Sequence, residues 1–189
     1  MSRVAKASRA WILTALGKDR PGIVAGVTKI LFELGGNLED SAMSRLEGEF
    51  TMMVIFTAPA ALPQGKLERA FGALSKRLGL VIHFKKLSRL ETARVEHGKP
   101  YLISVYGADQ PGIMYRVAAL LSDVHVNITD VETHRTTPKG NARTPLYLMI
   151  LEVELPSTIS AAGLEPQLRR LAADLGVEVS LRSAETNVL

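Results

Sequence analysis

The chain carries one pattern twice, and this duplication limits its fold more than any other feature. Sliding the sequence by 90 residues aligns Trp11 to Arg45 with Tyr101 to Arg135 without a gap. Ten aligned positions are identical: Gly17/Gly107, Asp19/Asp109, Pro21/Pro111, Gly22/Gly112, Ile23/Ile113, Val27/Val117, Leu31/Leu121, Asn37/Asn127, Asp40/Asp130 and Arg45/Arg135. Beyond Arg45 the offset becomes 97, pairing Met52 with Met149, Pro59 with Pro156, Leu67 with Leu164, Leu78 with Leu175 and Gly79 with Gly176. Seven residues were therefore inserted once, in the second copy, within Thr136 to Pro145. The Thr-Pro-Lys-Gly-Asn composition of that stretch predicts an exposed hairpin loop. Two copies are too few for a solenoid and suit a duplicated domain of about 85 residues, able to bury roughly 60% of its surface. The expected division is a first domain over 1–87, a charged linker over 88–99 and a second domain over 100–189.

Each copy reads alike. A run rich in β-branched and aromatic residues (Trp11 to Leu16, Tyr101 to Tyr106) predicts a strand, followed by a Gly-x-Asp-x-Pro-Gly turn. Pro21 and Pro111 suit the first turn of a helix whose apolar positions 23, 27, 30, 31 and 34 recur as 113, 117, 120, 121 and 124. Asn37 and Asn127 open a second strand. Phe50, Met52, Val54 and Phe56, matched by Tyr147, Met149, Leu151 and Val153, alternate as the inward face of a third. Leu67, Phe71, Leu74 and Leu78, with Leu164, Leu168, Leu171 and Leu175, follow the helix period up to capping glycines at 79 and 176. Leu80 to Leu87 and Val177 to Arg182 complete the copies as strands. The order βαββαβ is the ferredoxin-like motif, an α+β fold of four antiparallel strands covered on one face by two helices.

Composition closes several routes to chemistry. The 189 residues contain no Cys, which removes disulfides, thiolate nucleophiles and cysteine-ligated metals. The histidines at 83, 97, 125 and 134 lack metal-ligand spacing, and none recurs at its duplicate position. Ser41 and Ser44 stand in no nucleophile elbow, and no phosphate-binding glycine loop occurs. No cofactor and no metal are expected. No run approaches 18 uncharged apolar residues, so no membrane span is expected and the default compartment is the cytoplasm. Charge is uneven: residues 1–95 hold 15 Lys/Arg against 8 Asp/Glu, and residues 96–189 hold 8 against 11. A basic front half admits an acidic partner or nucleic acid.

Leu-Gly-Lys-Asp-Arg-Pro-Gly-Ile-Val with Asn-Leu fourteen residues on, and Tyr-Gly-Ala-Asp-Gln-Pro-Gly-Ile-Met with Asn-Ile at the same distance, closely resemble ACT domains. The resemblance spans nearly the whole chain. Two such units and a short linker resemble the tandem-ACT proteins grouped as glycine cleavage system transcriptional repressors. The first copy is also similar to the ACT unit preceding formyltetrahydrofolate deformylase, but no deformylase domain follows in these 189 residues.

The resemblance implies an amino acid held between the loop after the first strand of one unit and the start of the second strand of its neighbour. The matching positions are Gly17, Asp19, Asn37 and Leu38, and Gly107, Asp109, Asn127 and Ile128. The turns at Gly22 and Gly112 join them on physical grounds, because a helix amino terminus presents unpaired N–H groups and positive dipole to a carboxylate. A structural reading competes at each position: Asp19 and Asp109 as caps of their own helices, Asn37 and Asn127 as turn formers bonded to nearby backbone. His125 replaces Gly35 at a place suited to left-handed backbone, so the second site has either degenerated or gained a polar contact.

The expected function is a non-catalytic regulatory protein that binds a small amino acid, glycine or serine first, and modulates a partner such as a transcription factor, in control of glycine and one-carbon metabolism. The two units are expected to pack against each other, and the chain to form a homodimer. The alternative is direct binding of DNA or RNA by the basic first copy, which would show as steep salt dependence. A small enzyme would need a nucleophile or base that the motifs do not supply.

Overall fold

The computed structural model describes residues 8–88, 98–136 and 145–184. The chain forms two compact units, residues 1–94 and 95–189, each considered by itself. In the first, β1 (Ser8–Lys18), α1 (Ile23–Glu33), β2 (Asn37–Leu46), β3 (Glu49–Pro59), α2 (Gln64–Leu78) and β4 (Val81–Lys86) follow in that order. The second repeats it as β5 (Lys99–Ala108), α3 (Ile113–Asp123), β6 (Asn127–Arg135), β7 (Leu146–Leu155), α4 (Ala161–Leu175) and β8 (Val177–Ser183). The sheets run β2-β3-β1-β4 and β6-β7-β5-β8, antiparallel throughout. Both units are the expected ferredoxin-like α+β fold.

Alternation sets one face of each sheet against its helices. Phe50, Met52, Val54 and Phe56 on β3 are all buried, with Leu13 and Ala15 beside them on β1. Ile23, Val27 and Leu31 of α1 and Leu67, Phe71 and Leu74 of α2 close the other side. The second core repeats the pattern around Ile103, Met149, Leu151, Leu121 and Leu168. Gly79 and Gly176 end α2 and α4 in left-handed conformation, at φ 66° and 61°, as capping glycines do.

The structure adjusts several expectations. Pro21 and Pro111 lie outside the helices, because Gly22 and Gly112 take the position flanking the first turn and the helices begin at Ile23 and Ile113. The first strands are longer than their apolar runs, since ladder pairing with β3 and β7 continues through polar ends such as Lys18↔Glu49. Lys99, placed in the linker by its charge, is the first residue of β5 and pairs with Leu155. Most of the linker and of the hairpin loop, residues 89–97 and 137–144, lie outside the described residues.

Candidate functional site

The ten candidate residues fall at two opposite ends of each unit. Gly17 pairs with Phe50 on β3, and Asn37 pairs with Thr57, seven residues along the same strand. In the second unit Gly107 pairs with Tyr147 and Asn127 with Glu154, again seven apart. At about 3.3 Å per residue this is roughly 23 Å, so Asp19 and Asn37 of one unit cannot touch one small ligand.

At the upper end, the turn between the first strand and helix is fixed by backbone. The Asp19 N–H donates to the Gly48 carbonyl and the Asp109 N–H to the Pro145 carbonyl, both at 2.9 Å. Gly17 is glycine because a Cβ there would lie 2.7 Å from the Gly79 carbonyl oxygen; at Gly107 it would lie 2.8 Å from a Val177 methyl. Gly22 and Gly112 adopt φ of 93° and 95°, which side chains rarely tolerate. The first helical bonds run from Gly26 N–H to the Gly22 carbonyl and from Arg116 N–H to the Gly112 carbonyl, so three N–H groups before each lack a partner within the helix.

The aspartates are not helix caps. Neither α1 nor α3 has a side-chain cap; instead Arg45 Nη1 donates to Asp19 Oδ2 at 3.2 Å and Arg135 Nε to Asp109 Oδ2 at 2.5 Å. Each pair fastens the turn to the far end of the second strand. These arginines were missed as functional candidates although their recurrence 26 residues after the aspartates was visible. Tyr147 stands opposite both Gly107 and Arg135, and burial, then the Asp109 charge, raises its pKa above the ordinary phenol value. In the second unit Gln110 Nε2 also donates to the Leu175 carbonyl at the end of α4.

At the lower end, Asn37 is bonded to a side chain rather than to backbone. Its Nδ2 donates to Glu39 Oε1 at 3.1 Å, and Thr57 Oγ1 donates to the same oxygen at 2.8 Å. These bonds, Asn37 first, hold the Glu39 carboxyl below its ordinary pKa. A bulge beside Leu38 and another beside Ile128 shift the register at the same place in both units. In the second unit the acid has changed strands: Thr129 stands where the first has Glu39, and Glu154 where it has Thr57. His125 holds φ 57° where Gly35 holds 70°, so the histidine bears the left-handed turn expected of glycine. Both His125 and Asn127 line a cavity at this end of the second unit.

Comparison with known proteins agrees with this architecture. The ACT domain model matches residues 10–85 and 99–182. The chain belongs to the ACT domain family. Its two ACT units are similar, over 173 residues and at 30% identity, to the glycine cleavage system transcriptional repressor of Escherichia coli (strain K12), covering 90% of this chain and 87% of that protein. A single unit is similar to the UPF0237 protein of Streptococcus mutans, 36% identical over 74 residues, or 39% of this chain and 84% of that one. Among solved structures, an unknown protein from Galdieria sulphuraria superposes with a TM-score of 0.79 at 26% identity, covering 94% of this chain and 99% of that one. A candidate glycine cleavage system transcriptional repressor, at 18% identity and a TM-score of 0.74 over 95% and 99% of the two chains, shares the fold. No helix among the described residues is long and apolar enough to cross a membrane.

Proposed function

We propose that this tandem ACT protein is a non-catalytic regulator that binds a small amino acid, glycine or serine first, and alters the affinity of a protein partner such as a transcription factor. The observation that carries the reading is whole-length likeness to the E. coli repressor across both ACT units. The chemistry of the two ends agrees with it. The α1 and α3 amino termini offer N–H groups and positive dipole to a carboxylate, while Asn37 and Asn127 offer amides. Because these lie at opposite ends of one unit, a ligand that touches both bridges two units, and its affinity then depends on how units associate. Coupling of this kind usually amounts to about 1–3 kcal/mol. A homodimer of the chain belongs to the same proposal.

A thermal-shift screen against the twenty amino acids tests it. A true ligand at 100 times its Kd adds about 2.7 kcal/mol and raises the Tm. A flat response to all twenty contradicts the proposal. A sequence-dependent gel shift with DNA alone, lost steeply with salt, would replace it with direct nucleic-acid binding.

A further inference from the structure

The duplication supplies an internal reference for the helices, and there the two units differ in charge. On α2, Lys66, Arg69, Lys76 and Arg77 are all exposed. At about 100° per residue these four fall within an arc of roughly 100°, turned away from the buried Leu67, Phe71 and Leu74. They extend about 16 Å along the helix axis. The exposed Ala73 lies on the same arc between them, so no bulky side chain interrupts the stripe. The ion pairs of the first unit among the described residues, Lys18–Glu49, Lys29–Glu33 and Arg45–Asp19, engage other elements. Glu68, the acid of α2, is on another side of the helix and accepts from Gln64 Nε2 at 2.9 Å.

The equivalent helix α4 lacks this charge. Gly163, Pro166, Ala173 and Asp174 stand at the four places and Arg170 at that of Ala73, so four cations in the first unit become one cation and one acid in the second. α4 also matches charges locally, Arg169 to Glu165 at 2.7 Å and Asp174 to Arg116 of α3 at 3.5 Å. Helix stability does not call for the whole stripe. Lys76 and Arg77 suit the last turn of α2, but Lys66 is in the first turn, where the helix dipole disfavours a cation and no acid offsets it. Arg69 adds a like charge beside it.

The surroundings of the stripe select the kind of anion it meets. A membrane-surface helix sets large apolar side chains beside its cations, and here the neighbours are Gly65, Ala70 and Gly72. A nucleic-acid site adds amides or aromatic rings for the bases, and the stripe has neither. Small residues between cations instead let a second helix approach to packing distance, with its carboxylates at either end. We propose that the outward stripe of α2 is the docking surface for an acidic helical segment of a protein partner. The inference rests on the partner-binding reading above and names its surface; it uses none of the amino-acid site residues.

Fluorescence anisotropy with the full chain tests it, using a labelled Ala/Glu helical peptide with its glutamates on one face, an isomer with them spread around the helix, and a short DNA duplex. Vesicles containing phosphatidylserine are assayed by co-sedimentation. The one-faced helix should bind at least tenfold tighter than its isomer, and more weakly as salt rises. Lys66→Gln with Arg69→Gln should lower that affinity at least tenfold and leave the Tm unchanged or higher. Arg169→Gln with Arg170→Gln, on α4, should leave the affinity unchanged. Equal binding of the two peptides, retained affinity or a lower Tm in the α2 variant, or tighter binding of duplex or vesicles would each overturn the proposal, as would self-association of the chain that the α2 variant abolishes. A chain whose Tm responds to an amino acid but which ignores the one-faced helix overturns the stripe alone; one that binds the helix but responds to no amino acid supports the stripe and contradicts the amino-acid reading.

Discussion

Asp19 and Asp109 each pair with an arginine at the far end of the second strand, Arg45 and Arg135, rather than with their own helices. Their arginine partners are 71% and 66% exposed, so each ion pair contributes only about 0–1 kcal/mol. Asp109→Asn should therefore change the Tm by a few degrees at most, while Tyr147, relieved of the nearby negative charge, should titrate at lower pH in an ultraviolet titration. An unchanged Tyr147 titration would mean that burial alone raises its pKa. Glu39 offers a second check. Its folded pKa is lowered, so the ionised form favours the folded state: that contribution is fully present above the ordinary carboxylate pKa and is lost as pH falls through the lowered value. Asn37→Ala removes the leading hydrogen bond, and NMR titration should then place Glu39 closer to an ordinary glutamate. Recurrence made Asp, Asn and Arg visible in the sequence as a set. What each one bonds to was not legible, because Arg45 reaches Asp19 across 26 residues through a strand register that no local pattern encodes.

The elements themselves were largely written in the sequence. Two-residue alternation on β3 and β7 and 4-3-4 spacing on α2 and α4 are local signals of burial, and the buried residues follow them. Their ends were less legible, since Pro21 and Gly22 both signal a helix start and only the backbone decides between them. At Gly22 the deciding fact is φ 93°, and Gly22→Ala should destabilise the first unit by about 1–2 kcal/mol, read as a lower midpoint in urea. The opposite sign is expected at His125. His125→Gly relieves left-handed strain of about 1 kcal/mol or more, against a smaller entropic cost, and should raise the melting temperature of the second unit by several degrees. A lower Tm in that variant would mean that the histidine ring holds the α3–β6 turn through contacts that outweigh its backbone strain.

For the whole molecule, the duplication accounts for both the constancy and the divergence. The fold, the left-handed glycine before the first helix of each unit, the bulge and the Asp–Arg fastening are repeated; the charge at the lower end is rearranged. The front half remains strongly basic and the back half mildly acidic, a difference suited to docking an acidic protein surface with salt-sensitive on-rates. Purified chain alone should show no sequence-preferring, salt-steep binding of DNA in fluorescence anisotropy, and such binding would favour the nucleic-acid reading instead. The central claim is that the ACT units hold a small amino acid and return it unaltered. Equilibrium dialysis with radiolabelled glycine and serine, followed by chromatography of the recovered label, tests this directly. Saturable binding of at least one of them, weakened in Asn37→Ala or Asn127→Ala and with all label recovered as the starting amino acid, is the predicted result; no saturable binding of either, or label recovered in a new compound, would contradict it.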